Sequence, residues 1–206
     1  MPLPAKTLLA VAVLSMPMLA AAESQYVTSL APPLTANARL DFLVTVPNIL
    51  FLRVGTGADF TTNPTINQIA FVVPATNVGD GTTIAATVGS GDLGNGAVTA
   101  KVLGNNGNIT FTSTTLGALG NGAGDSISYG QINTAVGALT STVPLPHPTL
   151  ADGATTTVTL APTTGRIVNR DARWTYSYTN TAVVAAGTYG GVNVNNSRVT
   201  YTASMP

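Results

Sequence analysis

Arg173-Trp174-Thr175-Tyr176-Ser177-Tyr178 decides the fold class of this chain. Along an extended backbone successive side chains point to opposite faces. Trp174, Tyr176 and Tyr178 therefore share one face, and Arg173, Thr175 and Ser177 share the other. Aromatic residues at period two, alternating with polar ones, predict a strand with one face against a core. The same row would also suit an aromatic platform for a sugar, which makes Trp174, Tyr176 and Tyr178 the candidate ligand-binding residues. The core reading is favoured, with each tyrosine hydroxyl reaching a hydrogen-bond partner.

The pattern recurs on both sides of this segment. Towards the C-terminus, Val199, Tyr201 and Ala203 alternate with Arg198, Thr200 and Thr202, after a turn at Asn195-Asn196. Residues 155–160 alternate as well. Residues 97–103 and 108–113 flank Gly104-Asn105-Asn106-Gly107, where Asn-Gly supplies the positive φ of a tight turn, so the two runs are expected to pair as a hairpin. Residues 66–73, 83–88 and 125–129 read as shorter strands. Residues 131–142 suggest a turn or two of helix weakened by Gly137, and Pro144, Pro146 and Pro148 impose an extended connector. Leu40, Phe42, Val44 and Val46 again alternate and predict a half-buried strand. Pro47-Asn48 interrupts it before a second strand at 49–54. No window shows helical periodicity and no repeat of domain-building length appears. Roughly nine or ten short strands predict an all-β protein, an Ig-like or Greek-key β-sandwich over residues 39–206.

The N-terminus reads as a separate object. Lys6, an apolar run over residues 7–14, Pro17 and Ala20-Ala21-Ala22 have the layout of a signal peptide over residues 1–22. Residues 23–38, with Ala31-Pro32-Pro33, are expected to form an extended lead. Export to the periplasm, cell surface or extracellular space is the expected outcome, with no membrane span after cleavage. Only 8% of residues are charged, and Thr, Asn, Ser and Gly supply the polarity instead. Removing Lys6 leaves 7 basic residues against 8 acidic ones, from the 8 and 8 of the whole chain. That balance gives no electrostatic footprint for nucleic acid. There is no Cys, so the fold is expected to be disulfide-free and to rely on its core.

Few residues are suited to catalysis. His147, the single His, stands between Pro146 and Pro148 and reads as an exposed loop residue. Glu23 is the only Glu, and most Asp residues sit beside Gly, as turn residues do. No catalytic residue is expected, and no cofactor beyond a calcium ion. Asp80, Asp92, Asn95 and Asp125 are its candidate ligands, as oxygen donors on Gly-rich loops.

Two segments carry a family resemblance. Residues 40–55, a Val-Thr-Val-Pro strand followed by a Leu-rich strand ending in Val-Gly, resemble the first strands of fimbrial and other bacterial surface β-domains. Trp174-Thr175-Tyr176, the Gly-rich stretch 186–191 and residues 198–203 resemble the closing hairpin of such domains, including WxL-like ones. The likeness covers about a quarter of the chain. It departs from many chaperone–usher pilins in lacking a disulfide, and residues 25–34 are broken by Pro32 and Pro33 where a donor strand would alternate. The resemblance implies an envelope or extracellular structural subunit that self-assembles, or joins other envelope proteins, by strand addition at an open sheet edge. The alternative is a secreted module binding a glycan or a protein through the Gly/Asn loops or the Trp174 row.

Overall fold

The computed structural model describes residues 23–206, so the signal peptide expected at 1–22 lies outside the described residues. The chain divides into two units, Met1–Val46 and Pro47–Pro206. In the first, the described lead doubles back on itself instead of running extended. Arg39 donates to both carboxylate oxygens of Glu23 at 2.6 and 2.9 Å, and the Asn37 N–H donates to Gln25 Oε1. Residues 40–46 form no strand.

The second unit is an all-β sandwich. Its strands are β1 (Leu50–Val54), β2 (Ile84–Ala85), β3 (Ala97–Gly104), β4 (Ile109–Thr114), β5 (Leu119–Gly120), β6 (Ser126–Ile127), β7 (Ile132–Gly137), β8 (Thr155–Leu160), β9 (Val168–Tyr178) and β10 (Thr200–Ser204). One antiparallel sheet runs β1-β3-β9, with β2 continuing along the β3 edge of β9 and β7 on its other edge. The second sheet runs β10-β4-β8, and β5 and β6 form a small ribbon.

The faces follow from the alternation. Val98, Ala100 and Val102 of β3 and Val168, Ala172, Trp174 and Tyr176 of β9 meet Ile109 and Phe111 of β4 and Leu160 of β8 in one buried cluster. Phe111 and Tyr201 from one sheet lie with ring centroids 6.0 and 5.4 Å from Trp174 of the other. Burying aromatic and branched side chains from both inner faces is what binds the two sheets together.

The structure corrects several sequence expectations. β3 and β4 do not form a hairpin. They lie in different sheets, and the Gly104–Gly107 turn arches between them. Local turn chemistry fixes a reversal but not the partner. β9 offers β3 eight paired residues, Ala97–Gly104 against Val168–Thr175, while β4 is taken on both edges by β8 and β10. The turn finds its partners elsewhere: the Ile49 N–H donates to Asn105 Oδ1 at 2.9 Å, and Asn106 Nδ2 donates to the Pro206 carbonyl at 3.0 Å. β9 and β10 likewise belong to different sheets and form no closing hairpin. Within residues 131–142, expected to hold a turn or two of helix, Ile132–Gly137 is strand β7, which completes the free edge of β9. Residues 66–73 contribute only an isolated bridge, Phe71 to Ala86. Residues 40–46, expected as the first strand, form none, and the first strand is β1.

Candidate functional site

Trp174, Tyr176 and Tyr178 are all buried, so they present no ring face to a sugar. Trp174 donates its indole N–H to the Leu145 carbonyl at 2.9 Å. Tyr176 reaches a polar group that the sequence did not disclose. Its hydroxyl lies 3.2 Å from His147 Nε2 and 3.0 Å from the Tyr201 hydroxyl, which is itself 2.7 Å from His147 Nε2. His147 is therefore not an exposed loop residue. Its ring stands edge-on to Trp174, centroids 4.6 Å apart. Pro146 and Pro148 hold the segment extended, which aims the imidazole inward between the sheets.

Burial pushes the His147 pKa down to about 4 and that of the Tyr176 hydroxyl up to about 12, and it raises Tyr201 well above its ordinary value. All three groups are neutral at pH 7. With Nε2 as acceptor, the Tyr201 hydroxyl can donate to it at 2.7 Å and the Tyr176 hydroxyl to Tyr201 at 3.0 Å, so both hydroxyl protons have partners. Among the described residues no carboxylate hydrogen-bonds to His147, the partner that a Ser–His–Asp arrangement uses to orient its imidazole. The cluster is a satisfied polar seam in the core.

The calcium candidates are not brought together. Asp80 accepts from the Thr82 N–H at 2.7 Å and from Asn77 Nδ2 at 3.0 Å, holding its own turn. Asp92 accepts from the Thr99 N–H at 2.8 Å and faces Arg53 at 3.6 Å. Asn95 has a left-handed backbone, φ 51°, in a turn, and Asp125 pairs with Asn121 at 2.8 Å. Among the described residues no group of three or more His, Cys, Asp or Glu is placed to hold a metal ion.

The features left unfinished are an arm and a sheet margin. In the first unit Leu40, Phe42, Leu43, Val44 and Val46 are between 72% and 92% exposed. The alternation read there is real, but these residues have no sheet partner. Several adjacent, uncovered apolar side chains are rare on a soluble monomer.

In the second unit, β1 and β10 are edge strands of opposite sheets and lie beside each other without a hydrogen-bonded ladder between them. Leu52 and Val54 of β1, and Tyr201, Ala203 and Met205 at β10, pack on the core yet remain only partly buried. Each strand pairs on one side only, which leaves backbone donors and acceptors on the other. The opposite margin, edged by β7 and β8, is covered by the chain itself. There the Leu145 N–H donates to the Asp171 carbonyl at 3.0 Å, Leu145 is fully buried, and the Thr149 carbonyl accepts from Ser113 and Thr156. Asp171 anchors the start of that strap. Burial would raise its carboxyl, but donors from Thr140 and Ser141 outweigh it and hold the pKa at about 2.

The sequence signals for the arm were on view, but its lack of a partner was not, because alternation reports only what a segment could pair with. No protein-family model matches this chain, and no curated protein matches it in sequence.

Proposed function

We propose that the protein is an exported structural subunit that assembles by strand addition, with residues 40–46 of one copy laid along the margin between β1 and β10 of another. The observation that carries this reading is the presence, in the same chain, of an uncovered apolar arm and of a partly buried apolar margin between two strand edges. The arm's seven residues span edge strands of five residues each. In a strand, Leu40, Phe42, Val44 and Val46 would face Leu52, Val54, Tyr201, Ala203 and Met205. The backbone would then supply the missing ladder bonds. Export rests on Lys6, the apolar run and Ala20-Ala21-Ala22, and the resemblance to fimbrial domains at residues 40–55 points the same way. No catalytic role is proposed.

Size-exclusion chromatography with electron microscopy of the purified protein tests the reading. Filaments or oligomers are expected from the wild type, and Phe42→Asp is expected to leave monomers with an unchanged melting temperature. A wild-type protein that stays monomeric at high concentration would sink the proposal.

A further inference from the structure

The outer face of the β10-β4-β8 sheet is a grid of hydroxyls. The antiparallel register sets three cross-strand rows: Thr200, Thr114 and Thr155; Thr202, Thr112 and Thr157; Ser204, Thr110 and Thr159. These nine positions are all exposed or half-exposed, and their alternating neighbours turn inward. No charged, aromatic or large aliphatic side chain interrupts the grid. The outer face of the other sheet is different, with Arg53 and Lys101 paired to Asp59.

We infer that this threonine grid is a binding face for the ordered water lattice of ice. Neighbouring strands repeat at about 4.8 Å and alternate residues along a strand at about 6.8 Å. The grid is therefore two-dimensional, with spacings near those between oxygens on the prism faces of ice. Threonine fits this use because β-branching restricts χ1, so methyl and hydroxyl positions are held before binding. Cross-strand contacts restrain them further. The Thr114 and Thr155 hydroxyls lie 2.8 Å apart, and those of Thr112 and Ser204 reach the Thr202 and Thr110 carbonyls at 3.5 Å. The exposed threonine methyls exclude loose water between them, while the hydroxyls fix the waters that remain.

Other occupants fit this face less well. Protein interfaces centre on Trp, Tyr and Arg anchors in pockets, and this face has neither anchors nor pockets. A sugar ring would stack on an aromatic, and none is present. Within the nine grid positions a charged ligand would meet no counter-charge.

The test is ice growth in a frozen solution of the purified protein, measured as the inhibition of recrystallisation and the shaping of single crystals. The wild type is expected to slow coarsening and facet the crystals. Thr157→Lys and Thr202→Lys, on different strands of the grid, are each expected to lose the effect with the melting temperature unchanged. Asn169→Lys, on the outer face of the other sheet, is expected to keep it. Two variants on separate strands guard against one failing to fold. A wild type with no effect on ice, or an effect that survives both grid substitutions, overturns the inference.

Discussion

Along the margin edged by β7 and β8 the chain closes its own core, whereas along the margin between β1 and β10 it leaves apolar side chains partly in water. The closed margin uses a Pro-rich strap whose carbonyls and N–H groups are bonded to both sheets, with Leu145 and Leu150 buried beneath it. The open margin has two unpaired strand edges and no strap. The same chain therefore carries a finished boundary and an unfinished one. The difference lies in what sequence is available nearby. Residues 138–154 are long enough to fold back over β9, while the segment before β1 belongs to a separate unit.

Breaking the closed margin should give the largest stability loss. Trp174→Ala removes a fully buried indole and orphans the Leu145 carbonyl. A loss of about 3–5 kcal/mol is expected for a buried aromatic truncated to alanine, read as a lower urea midpoint. Retention of wild-type stability would show that the strap does not close the core.

The next effect is set by pH. His147 titrates at about 4 in the folded protein and near 6.5 when unfolded. The unfolded chain therefore binds more protons between these values. The stabilising contribution is complete above pH 6.5 and declines as the pH falls to 4. The expected span is about 3 kcal/mol, because the two values differ by about 2.5 and each tenfold change in proton affinity is worth about 1.36 kcal/mol. His147→Phe should flatten that part of the stability–pH curve, and a slope that persists in this variant would assign it to other groups.

The open margin should respond weakly in stability and strongly in assembly. Leu52→Ala shortens a half-buried contact and should cost about 1 kcal/mol, below the range for fully buried leucines, while it weakens oligomers in sedimentation. The smallest stability effect is expected from deleting residues 39–46, which carry the uncovered apolar side chains. The melting temperature should hold while filaments disappear. A marked fall in melting temperature would mean that the arm supports its own sandwich and would remove the contrast between the margins.

How far the sequence revealed this can be judged residue by residue. β8, β9 and the Trp174 row were legible because alternation and burial agree locally. His147 was misjudged because the groups that bury it, Trp174, Tyr176 and Tyr201, lie 27, 29 and 54 residues away. The Asn106-Gly107 turn was legible as a reversal, but the choice between hairpin and arch depends on β9, more than sixty residues further on. The arm shows the reverse problem. Its period was clear, yet period says nothing about whether a partner exists in the same molecule.

The arch between β3 and β4 has one more consequence. Asn105 accepts from Ile49 and donates to the Pro47 carbonyl at 2.8 Å, and Asn106 donates to Pro206. Two adjacent side chains thus hold the start and the finish of the sandwich. Within residues 47–206 these two points meet at one corner, so the sandwich can be cut elsewhere and rejoined there. A permuted version of residues 47–206, with Pro206 joined to Pro47 through a short Gly-Ser bridge and new ends opened in an exposed turn such as Gly122 to Gly124, should yield the same sandwich.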